Sequence, residues 1–288
     1  MKIVITGATG NVGLSVIQSL NKITHNLNIV AGIRSLEEDK QKLSNYKLDF
    51  VKFDFMDFTT YESAISGCQI LFLLRPPQIS DTEKYFKPII EIAIKMEIKH
   101  IIFLSVQGVE KSSIIPHHKI EKLIVESKIP YTFLRPAYFM QNFLGSLYHD
   151  LIVKRKIFLP AGNAKFTIVD VRDIGNVAAQ IIINPTMHID KSYELTNNEK
   201  MTFYEMASQL SEVLGQKITY ESPNLWNFYW RKQSEKMPFM LIMVMIMLHY
   251  LPRFQKEPMI TDCVKQITER EPTTFSEFIN NNKQALTT

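Results

Sequence analysis

The sequence predicts an α/β protein: a doubly wound parallel sheet followed by a small C-terminal α+β lobe. Three observations predict this class. A strand, a glycine-rich turn and a helix follow one another at the start of the chain, and strand-like and helix-like segments then alternate five times up to residue 105. From Pro223 onward the chain becomes rich in aromatic residues and methionine. Repeated strand–helix units are typical of parallel sheets with right-handed crossovers.

The first strand ends in a glycine-rich turn. Residues 3–5 are apolar, and Gly7, Gly10 and Gly13 follow at three-residue spacing before apolar residues recur at helical spacing. This order is typical of a Rossmann-type dinucleotide site. Gly7 permits the tight turn, Gly10 lets the backbone approach a pyrophosphate, and Gly13 lets the helix pack close to the sheet. The alternative interpretation is a plain strand-to-helix loop.

The second strand, residues 27–33, ends at Arg34. In this architecture a residue about 20 positions after the glycines meets the adenosine ribose. A carboxylate there favours NAD, whereas an arginine binds the additional 2′-phosphate of NADP(H). No Asp or Glu lies between Gly13 and Arg34. Arg34 therefore predicts NADP(H), and the alternative is a solvated surface arginine.

The next three strands also end in residues that suit a ligand site. Residues 48–55 predict a third strand whose terminal acid and aromatic could meet the adenine edge and face, while Asp57 could equally cap the next helix. Residues 68–74 and 100–105 predict the fourth and fifth strands. Ligands of such sheets bind beyond the carboxyl ends of the strands. That edge would carry Gly7 to Asn11, Arg34, Asp54, Leu74 to Pro76 and Ser105.

Bulk properties exclude several classes of protein. The 288 residues carry a net charge of only +4, which does not indicate nucleic acid as a partner. Cys68 and Cys263 form neither a disulfide framework nor a metal motif, and the histidines show no metal-ligand spacing. The start of the chain lacks a signal-peptide layout. We therefore expect a cytoplasmic protein without metal that acts on a small molecule, with a homodimer or a protein partner left open.

The C-terminal part contains an unbroken apolar run. Residues 239–248 are ten apolar residues between two prolines. Crossing a bilayer needs about 20 such residues, so no membrane span is expected. The favoured interpretation is a buried helix; the alternative is a methionine-rich wall of an apolar pocket or an oligomer surface.

Several motifs together resemble one protein family. They are Gly7–Gly13, Ser105–Gly108, Pro116–Glu121, Tyr131–Pro136 and Tyr138–Asn142, followed by Val169–Ile174 and Tyr193–Thr196. With them the chain resembles the NmrA-like atypical short-chain dehydrogenases/reductases. It is most similar to the NAD(P)H-dependent azo-dye, quinone and triphenylmethane-dye reductases. The resemblance covers roughly the first 220 residues.

The resemblance implies a cofactor site and two domains. At the pyrophosphate it places Gly7, Thr9, Gly10, Asn11 and Val12. At the adenosine it places Arg34 on the 2′-phosphate, Asp54 and Phe55 at the adenine, and Leu74, Arg75 and Pro76 over the ribose and diphosphate. Around the nicotinamide it places Ser105, Val106, Pro136, Tyr138 and Phe139. Asn142 would line the substrate side. Residues 1–195 would form the NAD(P)-binding Rossmann domain, with residues 155–170 contributing to the small lobe, and residues 196–288 the substrate lobe.

One departure from the short-chain dehydrogenase pattern bears on mechanism. His117 and Glu121 stand where the pattern has a tyrosine and, four residues later, a lysine. His117 could supply a proton with Glu121 orienting its ring, or both could be structural. The implied function is an NADPH-dependent oxidoreductase that transfers hydride to a quinone-like or conjugated aromatic acceptor. The alternative is an NADP(H)-binding redox-sensing regulator with little or no turnover.

Overall fold

The computed structural model describes residues 1–287, which form twelve strands and thirteen α-helices. The strands are β1 (Lys2–Ile5), β2 (Asn28–Ile33), β3 (Asp49–Lys52), β4 (Ile70–Leu74), β5 (His100–Leu104), β6 (Tyr131–Pro136), β7 (Tyr138–Phe139), β8 (Lys156–Phe158), β9 (Phe166–Val169), β10 (Lys191–Leu195), β11 (Lys200–Met201) and β12 (Thr219–Glu221). The helices are α1 (Asn11–Asn21), α2 (Glu38–Leu43), α3 (Thr59–Ile65), α4 (Thr82–Lys95), α5 (Pro116–Glu126), α6 (Tyr148–Lys154), α7 (Val171–Ile183), α8 (Phe203–Leu214), α9 (Leu225–Ser234), α10 (Phe239–Tyr250), α11 (Cys263–Thr268), α12 (Phe275–Asn281) and α13 (Lys283–Thr287).

The chain divides into two compact units. The first unit contains Met1–Pro136, Val171–Leu195 and Cys263–Glu271, and the second contains Ala137–Asp170, Thr196–Asp262 and the chain from Pro272 onward. The second unit begins at Ala137, whereas the predicted division lies at residues 195 and 196 with residues 155–170 assigned to the small lobe. The reason is local pairing: β7 pairs with β9, so the chain directly after β6 joins the sheet of the second unit.

The first unit is built on a seven-stranded sheet, in the order β10-β6-β5-β4-β1-β2-β3. Every neighbouring pair in this sheet is parallel. From β1 the chain builds the sheet outward on one side through β2 and β3, and then returns to β4 on the other side. The boundary between β1 and β4 is therefore the topological switch point at which such sheets bind ligands. The predicted doubly wound fold is confirmed.

Helices cover the two faces of this sheet. On one face α1 packs against α7, where the Ser15 hydroxyl donates to the carbonyl oxygen of Val171 at 3.0 Å. The other face contains an aromatic cluster in which the Phe53 and Tyr61 rings stack with centroids 5.4 Å apart. With both faces covered, the central strand β4 is wholly apolar over residues 70–74.

The second unit has two small sheets and its own core. The sheets are β11-β9-β7 and β12-β8. Buried phenylalanines, among them Phe143, Phe203 and Phe275, form the centre of this core. A buried ion-pair network joins α6 to α9: the Lys232 ammonium lies 2.8 Å from a carboxylate oxygen of Asp150. Both of these side chains are almost completely buried.

The prediction that residues 239–248 form a buried helix is wrong in one respect. They do form a helix, α10, and Ile242, Met245 and His249 are buried on one side of it. The opposite side is exposed, with Met240 65% and Leu248 54% accessible. Among the described residues 1–287, no helix is long and apolar enough to span a membrane.

Candidate dinucleotide site

The glycine turn lies at the switch point, between β1 and α1. Gly7 has a φ of +60°, and the Gly10 amide donates to its carbonyl oxygen at 3.0 Å. A Cβ on Gly13 would overlap that same carbonyl oxygen. The turn therefore needs glycine at position 7 for its backbone angle and at position 13 for space.

The start of α1 is open to an anion. The helix has no side-chain cap at Gly10 and no acidic residue in its first turn. The first amide groups of a helix have no partner inside the helix, and the helix dipole favours negative charge there. Asn11 is exposed, while the Val12 side chain is buried, so only the backbone of Val12 is offered to a ligand. Together these features form a site suited to phosphate.

Leu74 closes one side of the turn. Its amide donates to the Thr6 hydroxyl at 2.9 Å, and the Thr6 hydroxyl also lies 3.1 Å from the carbonyl oxygen of Phe72. A Cβ on Gly7 would approach the Leu74 side chain to 2.9 Å. The end of β4 and the glycine turn are thus packed against each other.

Arg34 lies in a loop whose conformation is held by hydrogen bonds to the Asp39 carboxylate. Arg34 is exposed, and its side chain has no ion pair or hydrogen bond with another residue of the described chain. The buried Asp39 accepts a hydrogen bond from the Ser35 amide at 3.2 Å and contacts the Lys42 ammonium at 3.2 Å. Burial alone raises the pKa of Asp39, but these hydrogen bonds outweigh burial and hold its pKa below the usual value. The loop is therefore ordered while the guanidinium of Arg34 stays available.

The two residues expected at the adenine lie at the end of β3 but differ in accessibility. Asp54 is partly exposed, and its carboxylate accepts from the Met56 amide at 2.9 Å. The Phe55 ring is buried, with the Phe53 ring centroid 4.8 Å and the Phe86 ring centroid 5.1 Å away. The expectation that this ring meets the adenine face is not supported, because the core already surrounds it.

Arg75 and His117 contact each other. Arg75 Nε donates to His117 Nε2 at 3.2 Å, and Arg75 Nη1 donates to the carbonyl oxygens of Pro76, Pro77 and Ile79 at 3.2, 3.4 and 2.5 Å. Because His117 Nε2 accepts this bond, the ring is neutral with its proton on Nδ1. Burial, with Arg75 beside it, lowers the pKa of His117 to about 3. These contacts favour the structural interpretation of His117.

Of the two interpretations of Glu121, its contacts favour the structural one. Glu121 is buried and pairs with Arg135, through Nε to Oε1 at 3.0 Å and Nη2 to Oε2 at 2.7 Å. Such a bidentate pair satisfies both carboxylate oxygens. Glu121 therefore fastens α5 to β6 and does not serve the histidine.

Ser105 lies at the end of β5 with an unsatisfied hydroxyl. Its side chain is 2% exposed, and its oxygen has no hydrogen-bond partner among the described residues. The Ser105 amide donates to the carbonyl oxygen of Leu134 at 2.7 Å, and the Gln107 amide donates to that of Pro136 at 3.0 Å. Residues 105–107, including Val106, are thus held beside the end of β6, near the carboxyl edge where the nicotinamide is expected. A buried hydroxyl without a partner is unusual, and it suits a ligand that brings one.

Three of the predicted residues, Tyr138, Phe139 and Asn142, belong to the second unit. There the Tyr138 hydroxyl lies 3.2 Å from His249 Nε2, and His249 Nδ1 lies 2.6 Å from the carbonyl oxygen of Met245. The carbonyl fixes the proton on Nδ1, so Tyr138 donates to Nε2. Burial lowers the pKa of His249 to about 4. Sequence reasoning missed His249, which sits near the end of an apolar helix and belongs to no motif.

The first unit thus has the features of a dinucleotide-binding domain: a glycine turn at the switch point, an open helix start and an available arginine after β2. Within residues 1–287, no group of His, Cys, Asp and Glu side chains is arranged to hold a metal ion. A model of the NmrA-like family matches residues 1–279. The chain belongs to the NmrA-like family.

Individual relatives agree with this assignment. Prestalk A differentiation protein A of Dictyostelium discoideum is 32% identical over 77% of this chain and 72% of its own length. Quinone oxidoreductase 2 of Escherichia coli (strain K12) is 28% identical over 76% of this chain and 77% of its own. The structure of the Citrobacter sp. triphenylmethane reductase complexed with NADP(H) is 25% identical, with a TM-score of 0.86, and the match covers 98% of this chain and 99% of that one.

Proposed function

We propose that this chain is an NADPH-dependent oxidoreductase that transfers hydride to a quinone-like or conjugated aromatic acceptor. The glycine turn between β1 and α1 is the observation that carries the proposal. The names of its relatives support it, since they include a quinone oxidoreductase, an NAD(P)H azoreductase and a triphenylmethane reductase. A small-molecule acceptor follows from the same names.

The residues present fit NADP(H). A side chain larger than hydrogen at Gly13 would fill the turn, and the start of α1 offers uncapped amides for the pyrophosphate. Arg34 would hold the 2′-phosphate, and its loop is already ordered by Asp39. Leu74, Arg75 and Pro76 would lie over the ribose and diphosphate. The Arg75 guanidinium is bound to its own loop and to His117, so its role would be to shape that loop.

NADPH, when bound, supplies the hydride. The chain's own residues would orient the reactants and exclude water, which is the main contribution a protein makes to such a transfer. Ser105 would donate its unpaired hydroxyl to a ligand carbonyl at the end of β5. No proton from His117 is required, because a quinone or conjugated dye delocalises the incoming charge and water can protonate the product.

The test is direct. Purified protein is mixed with NADPH and a panel of quinones and conjugated dyes, and the loss of NADPH absorbance is followed with and without each acceptor. We expect acceptor-dependent oxidation of NADPH. If NADPH binds but no acceptor accelerates its oxidation at high protein concentration, the proposed enzymatic activity is wrong. The proposed cofactor site would stand in that case.

A second candidate is an NADP(H)-binding redox sensor without turnover. The observation that favours it is that Arg75 and Arg135 already engage the two side chains that stand in place of the tyrosine and lysine of short-chain dehydrogenases. A sensor should bind NADPH and NADP⁺ with different affinities and oxidise no acceptor. Comparing the two affinities by titration, beside the assay above, separates the candidates.

We also propose a cytoplasmic location. Cys68 is a buried free thiol, and burial raises its pKa to about 11. A thiol that forms no disulfide is typical of proteins in reducing compartments. Fractionation of cells that express the chain would test this.

A further inference from the structure

The exposed side of α10 is entirely apolar. Its accessible residues recur at three- and four-residue spacing, which places them on one side of the helix. They are Met240, Leu241, Val244, Met247 and Leu248, and Leu251 continues the row just after the helix. No charged residue lies between Phe239 and Leu248. The opposite side of α10 packs into the core of the second unit through Ile242 and Met245.

An aromatic row on α9 leads to the start of this helix. Trp226 and Trp230 are 69% and 51% exposed, and their ring centroids lie 5.5 Å apart. Tyr229 contacts both Trp230 and Phe239, with ring centroids at 5.4 and 6.4 Å. After α10 the 72% exposed Phe254 contacts Tyr250.

We call these residues the apolar face: Trp226, Trp230, Phe239, Met240, Leu241, Val244, Met247, Leu248, Leu251 and Phe254, each more than a third exposed. A group of large exposed apolar side chains, linked by ring contacts at both ends of α10, is typical of a surface that binds a partner or a membrane.

The charges around the apolar face are cationic. Residues 223–260 contain five Lys or Arg and two Glu, a net charge of +3. Both glutamates are paired within the second unit: Glu235 with Lys232 at 2.8 Å and Glu257 with Lys200 at 3.3 Å. Lys236, Arg253 and Lys256 have no acidic partner in the described chain; all three are exposed, and Arg253 lies over the Tyr250 ring at 5.0 Å.

We infer that the apolar face binds the surface of an anionic phospholipid bilayer. Tryptophan, phenylalanine and leucine side chains flanked by cations are the composition of segments that lie in the membrane interface. A second copy of the chain fits less well, because pairing this face with itself would bring like charges together. With 12 residues, α10 is about 18 Å long, against a hydrocarbon core of about 30 Å, so it would lie in the plane of the membrane.

The two tryptophans of the chain, Trp226 and Trp230, both lie on the apolar face and report on it directly. The full chain is mixed with vesicles of phosphatidylcholine alone, or of phosphatidylcholine and phosphatidylglycerol in equal parts. We expect a blue shift of tryptophan emission and co-sedimentation with the anionic vesicles, both weakened by salt. The measurement does not depend on hydride transfer and is independent of the proposed function.

Matched variants locate the contact. Met240→Gln combined with Met247→Gln should weaken vesicle binding by at least about tenfold, because each methionine loses apolar burial. Met187→Gln is the control: Met187 is 67% exposed, as Met240 is 65% exposed, but it lies in the first unit. Lys236→Gln and Lys256→Gln should each weaken binding to anionic vesicles by about fivefold.

Two results would overturn the inference. One is unchanged tryptophan emission and no sedimentation with either vesicle. The other is a blue shift that appears without vesicles as protein concentration rises, with a doubled mass in light scattering, which would assign the face to a second copy. Since every substituted side chain is exposed, an unchanged melting temperature is expected and confirms that each variant is folded.

Discussion

At the scale of single residues, the Arg75–His117 contact decides how His117 can act. A donor group occupies Nε2, and burial next to a cation holds the pKa of His117 at about 3. The ring is therefore neutral near neutral pH and does not carry the imidazolium proton that a proton donor needs. The same contact anchors the loop after β4, where Arg75 also binds the carbonyl oxygen of Ile79. We interpret His117 as a residue that positions this loop.

This interpretation makes a prediction for turnover. His117→Gln keeps an acceptor for Arg75 Nε, so the turnover number with a quinone should stay within about tenfold of the native value. The native rate should also show no ionisation of His117 between about pH 5 and 8. The rate is measured across that range for both proteins. A loss of about 100-fold or more would instead assign His117 as the proton donor.

Asp150 shows how a buried charge in the second unit affects stability. Burial alone raises the pKa of Asp150, but the hydrogen bonds from Lys154 and Lys232 outweigh burial and lower its pKa to about 2. The pKa of this carboxyl is lower in the folded state than in the unfolded chain, where it is 3.8. Such a carboxyl stabilises the fold at pH values above its pKa in the unfolded chain. That stabilisation is lost as the pH falls from about 4 towards 2.

Asp150→Asn should therefore lower the free energy of unfolding by about 2–3 kcal/mol at neutral pH. It should also flatten the pH dependence of stability between about pH 4 and 2. Urea denaturation at several pH values measures both effects. Asp49→Asn is the matched control, because Asp49 is exposed and outside this network. Equal losses in the two variants would show that the network contributes nothing specific.

At the scale of secondary-structure elements, the turn between β1 and α1 has no space for a side chain at position 13. Gly13→Ala would push a methyl group against the Gly7 carbonyl oxygen and displace the start of α1. We expect the affinity for NADPH to fall by at least about tenfold. Fluorescence titration measures the affinities, and unaltered NADPH binding by Gly13→Ala would place the cofactor elsewhere.

Elements with a local pattern were predictable, and those defined by distant contacts were not. The strands at residues 70–74 and 100–104 follow from short apolar runs between turns. The side of α10 that faces solvent does not, since an unbroken apolar run has no helical periodicity to show it. Likewise, nothing in the sequence near Glu121 shows that Arg135 rather than His117 is its partner.

At the scale of the whole molecule, the sequence predicts a parallel, doubly wound sheet. Strands that alternate with helices adopt only a small set of topologies. The predicted site residues of the first unit follow from the same rule, since carboxyl ends of parallel strands share one edge. The division into units was only partly predictable. The resemblance assigns residues 155–170 to the small lobe, but no motif indicates that residues 137–154 also join the second unit, or that Cys263–Glu271 returns to the first.

The two units also differ in what the sequence shows about their chemistry. The glycine turn and Arg34 form a motif with a known physical purpose, so the cofactor could be predicted. His249 lies in no motif and is recognised only from its distance of 3.2 Å to the Tyr138 hydroxyl. A contact of this kind between residues 111 positions apart leaves no local pattern in the sequence.

The central claim is that the glycine turn and Arg34 together bind NADP(H). The most direct measurement is a titration of NADPH and of NADH, followed by nicotinamide fluorescence, with native protein, Arg34→Glu and the neighbouring control Lys40→Glu. We predict that the native chain and the control prefer NADPH, and that Arg34→Glu weakens NADPH binding by about 1.5–3 kcal/mol while NADH is little affected. Equal NADPH affinities for native protein and Arg34→Glu would contradict the assignment of Arg34 to the 2′-phosphate. If the native chain bound neither nucleotide, the claim that the glycine turn is a dinucleotide site would be wrong.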